Sequence, residues 1–447
     1  MSSRRIEGGN LEKRFKWSMV EQSVLDNQVR VVTKRMEGVR SISLGFLMAA
    51  GPMDEPEGRS GIAHLTEHLM FNGTGRRDAD EIARMMDTTG GQVNGFTSRD
   101  YTCFTTTVLD DYRTYLIDLM GDLLLNSQFA ENAVHQEKET IDRELSAQLD
   151  RPDVCAHERL KAHVWQGHPL GRPIGGTIAS VAGLQQRDVI DFHGRNYQPR
   201  RLIIAAAGNV NHQDLVSNAA DAFWTMKDDG KIDARPPRPR FYGGVTVKCM
   251  GVSHVYFSIG LKSAPYTAME RYLIHLFVVI LGGGLSSRLF RKLRQELGLV
   301  YEIHAEYQAY RDDGVIVVEG STTPELLHTV LSQIFLEIKG LGLQMLPVSE
   351  EELWIAKMQL KGRHIIAQEN SHTCMSSLAT QAFYFNRFID SEEILFQIQQ
   401  VDLERMNHIT ANILSDGLTD AAITLVGPPC EPVCNTTALE KLLREFQ

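Results

Sequence analysis

The 447-residue sequence has no apolar run long enough to cross a membrane. Its longest run, YLIHLFVVILGGG, is shorter than the roughly 20 residues that a transmembrane helix requires, and it contains His275. The N-terminal segment MSSRRIEGGNLEKRFKW is basic, but no apolar core follows it, as a secretory signal would need. We therefore expect no secretory signal and no membrane span, and we predict a buried helix at the long apolar run.

Clustered cations and organised cysteines are also lacking. The formal net charge is −10 and no Lys/Arg stripe is present, which argues against a nucleic acid partner because phosphate binding requires clustered cations. The six cysteines have no framework spacing, as is typical of reduced thiols. We expect the protein to be located in a bacterial cytoplasm, with an organelle matrix as the alternative. Cys430 and Cys434 could pair or bind a metal, but their spacing is not C-x-x-C.

Two motifs of other enzyme classes are missing. No G-x-S-x-G elbow is present, so a serine nucleophile of that kind is not expected. The glycine-rich stretch LGGGLSSR lacks the Lys-Ser/Thr ending of a phosphate loop, which argues against nucleotide binding.

The length of the chain exceeds what a single hydrophobic core usually serves, so at least two domains are expected. We predict a first domain over residues 1–228, a Pro-rich linker over 229–241 and a second domain over 242–447. Each half has the same predicted order of an early strand, a helix, a strand pair and a long amphipathic helix. This repeat predicts an α+β fold of two related domains, each with helices on a mostly antiparallel sheet.

One short apolar stretch, GIAHLTEHLMFNGT, contains His64, Glu67 and His68. At about 100° per residue, His68 lies ~40° from His64 and Glu67 ~60° to the other side, so the three share one helix face. Two His four positions apart can bind one metal ion, and a neighbouring Glu can take a proton from metal-bound water. The alternative is two structural histidines, so the motif needs a third ligand.

A second predicted helix, in SQFAENAVHQEKETIDRELSAQLDRP, carries two acids next to its apolar stripe. Glu137 and Glu144 border the buried side, whereas Glu131 and Glu139 lie more nearly opposite to it. Helices with many acids also show this placement by chance. Buried carboxylates need a cation, and a metal held by the two histidines would supply one.

These motifs resemble the pitrilysin/insulinase family of inverted-zincin metallopeptidases. HLTEH followed by EKETIDREL carries the resemblance, together with GGQVNGFTSRDYTCF, GHPLGRPIGGT, NYQPRRLIIAAAGNV and LGGGLSSRLFRKLRQELGLVYEIHA. Length and the two-half organisation are similar to the mitochondrial-processing-peptidase-like branch and to related bacterial peptidases.

The resemblance implies one zinc ion per chain. It implies His64, His68 and Glu144 as the zinc ligands, Glu67 as the general base and Glu137 as a supporting acid beside the site. A His₂Glu set with one open position is what zinc uses for hydrolysis. Glu137 has the alternative of being a helix-face acid with no role.

The resemblance also implies a substrate-binding edge strand at QVNGFT, where an extended peptide could add as a further strand. Its residues Asn94, Gly95, Phe96 and Thr97 are predicted to contact substrate. Gly95 departs from the Ala that the family usually has, and an ordinary hairpin strand is the alternative.

Arg294 and Tyr301 flank QELGLV in the second half. Gly298 is predicted to end a helix, so Arg294 would close that helix and Tyr301 would open the next strand. A matching Arg and Tyr in the family help to bind substrate carbonyls or to stabilise the tetrahedral intermediate. The alternative is an interface cation and a half-buried aromatic residue.

Family members of this size form two-chain clamshells, so the resemblance implies that this chain is half of one, as a homodimer or with a paralogous subunit. The implied function is a zinc endopeptidase acting on peptides or unstructured precursor segments inside the chamber. The alternatives are a non-catalytic scaffolding subunit and, less favoured, a small-molecule lyase. His163, His168 and His304 have no partner at ligand spacing, and we expect most of the remaining histidines to be structural.

Overall fold

The computed structural model describes residues 20–228, 230, 236–417 and 420–446. The basic N-terminal segment, and residues 229 and 231–235 of the predicted linker, lie outside the described residues. The described strands form two sheets flanked by helices, so the predicted α+β fold is confirmed.

In the described part of the chain, the first sheet has six strands in the order β1-β2-β6-β3-β5-β4. Their bounds are β1 Val20–Val24, β2 Arg30–Arg35, β3 Ser41–Met48, β4 Gln92–Thr97, β5 Thr102–Leu109 and β6 Leu202–Gly208. The β2–β6 pair is parallel and the other pairs are antiparallel. The central strands β3 and β6 are apolar and buried nearly throughout, as expected of strands covered on both faces. Strand β4 lies at an edge, so the predicted edge position of QVNGFT is confirmed.

The second sheet has five strands among the described residues, in the order β7-β11-β8-β10-β9. Their bounds are β7 Gly244–Cys249, β8 Val255–Ser263, β9 Ile303–Ala309, β10 Gly314–Thr322 and β11 Ala422–Gly427. Here the parallel pair is β7–β11, and the remaining pairs are antiparallel. Both sheets are thus mostly antiparallel with one parallel pair, as a diverged duplication would leave them.

Helices cover both sheets. In the first half they are α1 Ile62–Leu69, α2 Ala79–Thr88, α3 Arg113–Asn126, α4 Glu131–Leu149, α5 Pro152–Val164, α6 Ile178–Gly183, α7 Gln186–Asn196 and α8 His212–Phe223. In the second half they are α9 Arg271–Gly282, α10 Leu327–Gly342, α11 Glu350–Ala367, α12 Ser371–Phe385, α13 Ser391–Gln399, α14 Leu403–Gly417, α15 Glu431–Cys434 and α16 Thr436–Phe446. The long apolar run forms the buried helix α9, as predicted. No helix within the described ranges combines the length and the apolar character that a membrane crossing needs.

The two halves exchange one helix each, in the sense that one helix of each half packs on the sheet of the other half. Helix α12 of the second half packs on β2, β3 and β6, where buried Met375 and Leu378 contact the cluster that contains Leu47 and Ile203. A Cβ at Gly45 of β3 would overlap Met375 Sδ, so the glycine leaves room for this side chain of α12. Each buried apolar side chain of this kind stabilises the fold by roughly 1.5–3 kcal/mol.

Helix α5 of the first half packs in turn on β8 and β11 of the second sheet. Its Leu160 and Val164 join a buried cluster with Val315 and Val317 of β10. Directly after the helix, Trp165 Nε1 donates to the Asp313 carboxylate at 2.8 Å. The exchange therefore joins the halves through two apolar contacts and at least one buried hydrogen bond.

Candidate metal centre

Helix α1 is short, and its orientation is set by the burial of its apolar side chains. Ile62, Leu65 and Leu69 are buried against the first core, as the periodicity predicts. The Thr66 hydroxyl donates to the Ile62 carbonyl at 2.7 Å, which satisfies this buried polar side chain. The opposite side of the helix is left for His64 and its neighbours.

The N-terminus of α1 is held by Glu55, a buried residue from the preceding loop. Glu55 Oε1 accepts from the backbone N–H groups of Gly61 at 3.0 Å and Ala63 at 3.1 Å. Burial raises the pKa of Glu55 to about 8, and these two hydrogen bonds only partly oppose the shift. The carboxyl group therefore caps a helix whose first N–H groups have no intrahelical acceptor.

The side chains of His64 and His68 meet the side chain of Glu144 from α4. The two Nε2 atoms lie 3.2 Å apart, and Glu144 Oε2 lies 3.8 Å from His68 Nε2. One ligand atom from each residue lies within 4.8 Å of the others. Zinc–nitrogen bonds of ~2.0–2.1 Å in a tetrahedral site place two ligand nitrogens about 3.4 Å apart. The histidine pair therefore matches the spacing of a zinc site.

The surroundings of the two imidazoles also fit metal binding. His68 Nδ1 lies 3.1 Å from Glu137 Oε2, and Asn72 Nδ2 donates to Glu137 Oε1 at 3.0 Å. A proton on Nδ1 facing this carboxylate leaves the lone pair of His68 on Nε2. Burial, with the neighbouring His68, lowers the pKa of His64 to about 4, so its imidazole is neutral near pH 7. Neutral imidazole is the form that binds metal.

Glu67, on the same helix as the two histidines, faces the edge strand β4. It is 7 % exposed, and the Thr97 hydroxyl donates to its Oε2 at 2.8 Å. A Cβ at Gly95 would lie 2.7 Å from Glu67 Oε1, so the glycine leaves room for this carboxylate. Thr97 and Gly95 thus contact Glu67, while Asn94 is exposed and Phe96 is 43 % exposed on the same strand.

Arg294 and Tyr301 contact each other in the second half of the chain. Arg294, on the π-helix Phe290–Glu296, has its Cζ 5.0 Å from the Phe290 ring and 5.3 Å from the Tyr301 ring. Gly298 has a φ of +62°, as a helix-ending residue requires. Tyr301 is 79 % exposed and lies two residues before β9, so the prediction that it opens the strand was wrong by that margin. In the described part of the chain, no ion pair or hydrogen bond joins either residue to Glu144.

Both halves of the chain match known peptidase profiles. The profile described as Insulinase (Peptidase family M16) matches residues 30–178, and the one described as Peptidase M16 inactive domain matches residues 183–360. A protein of Mycobacterium leprae, described as an uncharacterized zinc protease, is 31% identical over 422 residues, which cover 93% of this chain and 94% of that protein. The chain belongs to the M16 (insulinase/pitrilysin) peptidase family.

Other M16 relatives and solved structures are consistent with this assignment. The zinc protease YmxG of Bacillus subtilis, also described as uncharacterized, is 29% identical, with 92% of this chain and 98% of that protein covered. A protease from Helicobacter pylori has a TM-score of 0.84 at 20% identity and covers 92% of this chain and 100% of its own. A Pseudomonas fluorescens structure, described as a peptidase M16 inactive domain, has a TM-score of 0.83 at 19% identity and covers 92% and 98%. These two structures support the fold.

Three residues beside the candidate site were missed in the sequence. Glu55 and Asn72 lie on loops that fold back to the candidate site. A loop has no helical or strand periodicity from which their positions could be predicted. Tyr197, in the NYQPRR segment, has a buried hydroxyl group close to Thr102 and Glu67. Burial, followed by the charge of Glu67, raises the pKa of Tyr197. A tyrosine five residues before the apolar strand β6 was the available signal.

The other histidines and cysteines have mixed outcomes. His163 and His168 each contact a backbone carbonyl at 3.0 Å, as expected of structural residues. His304 has no partner at ligand spacing in the sequence, but strand pairing places its Nε2 3.5 Å from Glu319 Oε2. Cys434 Sγ lies 3.0 Å from Cys249 Sγ rather than pairing with Cys430, and all three thiols are free.

Proposed function

We propose that this M16 protein is a zinc endopeptidase that hydrolyses peptides or unstructured precursor segments inside a dimeric chamber. The observation that carries the proposal is the convergence of His64, His68 and Glu144 beside the buried Glu67, at the edge strand of the first sheet. The zinc proteases among the relatives support the same reaction class.

In this proposal His64 Nε2, His68 Nε2 and the Glu144 carboxylate hold the ion. Glu137 orients His68 by accepting a hydrogen bond from Nδ1–H, and Asn72 donates a hydrogen bond to Glu137 in turn. When bound, zinc supplies Lewis acidity that acidifies water and polarises a carbonyl group. Neutral histidines with one carboxylate are the ligand set that suits this metal.

Glu67 acts as the general base and then as the general acid. Its Oε2 is held by Thr97, so Oε1 takes the proton from the attacking water and later delivers it to the leaving amine. The burial of Glu67 keeps bulk water away from this exchange. Hydrolysis then needs no covalent acyl-enzyme.

Substrate binds in extended form along β4. This strand pairs with β5 on one side only, so its other edge offers backbone N–H and C=O groups to a peptide. Main-chain hydrogen bonds give affinity without sequence preference, while Asn94 and Phe96 contact every second side chain of the bound peptide. Thr97 and Gly95 contact Glu67, and Glu67 faces the reacting carbonyl of the substrate.

A second chain completes the site. Arg294 and Tyr301 form a pair that is exposed on the second half, and we place them opposite the zinc-bearing half of a partner copy. A homodimer is favoured because one chain carries both elements, and a paralogous subunit is the alternative partner. The domain bounds 1–228, 229–241 and 242–447 belong to this proposal, as does a bacterial cytoplasmic setting.

Hydrolysis of a quenched-fluorescence peptide library by the native protein and by Glu67→Gln tests the reaction. Loss of a general base costs about 10²–10⁴-fold in rate, and we expect the variant to lose cleavage within that range while it retains zinc. Equal cleavage by Glu67→Gln would exclude Glu67 as the base. A native protein that holds no zinc and cleaves nothing would favour a scaffolding subunit instead.

A further inference from the structure

A second cluster of potential ligands lies where helix α5 of the first half contacts the second sheet. His157 of α5, Glu306 of β9 and Glu319 of β10 each offer one ligand atom, and these atoms lie within 4.8 Å of one another. The ligand atoms of His64, His68 and Glu144 lie within the same distance of one another. We infer that His157, Glu306 and Glu319 bind a second divalent transition-metal ion, and we take zinc as the probe.

The sheet register explains why these side chains meet. His304 of β9 lies opposite Glu319 of β10, and Glu306 lies opposite Val317 two residues further along, so all four side chains share one sheet face. Val317 packs against α5 in a buried cluster. This face is therefore the one that α5 covers, and His157 completes the group from above.

Two carboxylates lie close together on that covered face. Glu319 pairs with two imidazoles, His157 Nδ1 at 2.8 Å and His304 Nε2 at 3.5 Å, and the Ser258 hydroxyl donates to its Oε1. The buried ammonium of Lys161 lies 3.7 Å from Glu158 Oε1 and also interacts electrostatically with Glu306 and Glu319. A divalent cation between the imidazole and the two carboxylates would add direct ligand bonds to these contacts.

The contacts of His157 involve both of its ring nitrogens. Its Nδ1 lies 2.8 Å from Glu319 Oε1, while its Nε2 has a long contact of 3.4 Å to Gln308 Nε2. Gln308 also donates to Glu306, and its Oε1 is buried without a hydrogen-bond partner among the described residues. The polar groups around Glu306 are therefore imperfectly matched without a further ion.

Space and chemistry favour a transition metal over magnesium. A cavity of about 390 Å³, lined by His157, Ser258, His304 and Glu319 among others, adjoins the cluster and has room for water as an additional ligand. Imidazole suits zinc and similar ions, whereas magnesium prefers oxygen ligands alone. Because α5 and the sheet belong to different halves, this ion would link them.

Zinc titration of a chain whose first centre has been removed tests the inference. In His64→Ala/His68→Ala we expect one zinc equivalent to bind and to raise the thermal unfolding midpoint, since a ligand of the folded state stabilises it. Adding Glu319→Gln should weaken this binding at least about 100-fold, by analogy with the 10–100-fold effect of groups that only orient ligands. Adding Glu306→Gln provides an independent variant should Glu319→Gln fold poorly.

The matched control adds His135→Ala and Glu139→Gln, an exposed His–Glu pair on α4 with no third ligand among the described residues, and should change nothing. If native protein binds zinc and His64→Ala/His68→Ala binds none, the inference is overturned while the proposed function stands. If both bind the same single equivalent, the second centre stands and the proposed function fails. Binding unaffected by Glu319→Gln and Glu306→Gln, or equal competition by magnesium, also overturns the inference.

Discussion

At the scale of single residues, Glu137 shows how a carboxylate outside the ligand set can determine what a histidine does. It lies 3.1 Å from His68 Nδ1 and is itself held by Asn72. The arrangement fixes which nitrogen of His68 is free to bind metal. Glu67 is held in a similar way by Thr97.

We predict that Glu137→Gln weakens zinc affinity about 10–100-fold, because an amide oxygen holds the imidazole less strongly than a carboxylate does. A competition titration with a chromophoric chelator measures the effect at the first centre, in a Glu319→Gln background. Glu139→Gln, an exposed acid two residues along the same helix, is the control. Equal affinities for the two variants would leave Glu137 without a role.

Helical periodicity explains why five of these residues were predictable. His64, Glu67 and His68 share a helix face, and so do Glu137 and Glu144, so both faces are visible in the sequence. Asn72 and Glu55 lie on loops, where no helical or strand periodicity predicts the direction in which a side chain points. Glu319 and His304 meet only through strand register, which the sequence does not display for two strands with polar residues on a covered face.

At the scale of elements, helix α1 depends on the loop before it. Glu55 caps its first N–H groups, and burial raises the pKa of Glu55 from 4.5 to about 8. Below pH 4.5 the carboxyl is protonated in both folded and unfolded chains. Between pH 4.5 and 8 only the unfolded chain loses the proton, so the free energy of unfolding falls as the pH rises.

Glu55→Gln removes this proton linkage while its amide oxygen can still accept from Gly61 and Ala63. Between pH 5 and pH 7.5 we predict that the native protein loses stability relative to Glu55→Gln, by at most about 1.4 kcal/mol per pH unit. Denaturant unfolding at both pH values measures the difference. Glu57→Gln, an exposed neighbour, should follow the native protein, and parallel pH profiles for native and Glu55→Gln would contradict the prediction.

At the scale of the whole molecule, the duplication was predictable but the helix exchange was not. The repeated order of strands and helices along the two halves predicts two related sheets. Helices α5 and α12 each carry an apolar face, yet nothing in that pattern says which sheet the face will cover. Their exchange makes each half of the chain part of the other half's core.

A dimer in which each site uses both copies makes a distinctive prediction. A mixed dimer of one Glu67→Gln chain and one Arg294→Ala chain contains one site with both residues intact, if the site combines the zinc-bearing half of one chain with the second half of the other. We expect tandem-tagged mixed dimers to regain about half of native peptidase activity, by counting sites in a C₂ dimer. Activity no higher than that of the parent variants would indicate that both residues act within one chain.

The most direct test of the central claim, that His64, His68 and Glu144 hold the hydrolytic zinc, is peptide cleavage after chelation and zinc return. Native protein and the control Glu139→Gln should lose cleavage on chelation and recover it when zinc is restored. Glu144→Gln should stay inactive at the same zinc concentration, because a ligand is missing. Full recovery of Glu144→Gln alongside Glu139→Gln would contradict the account.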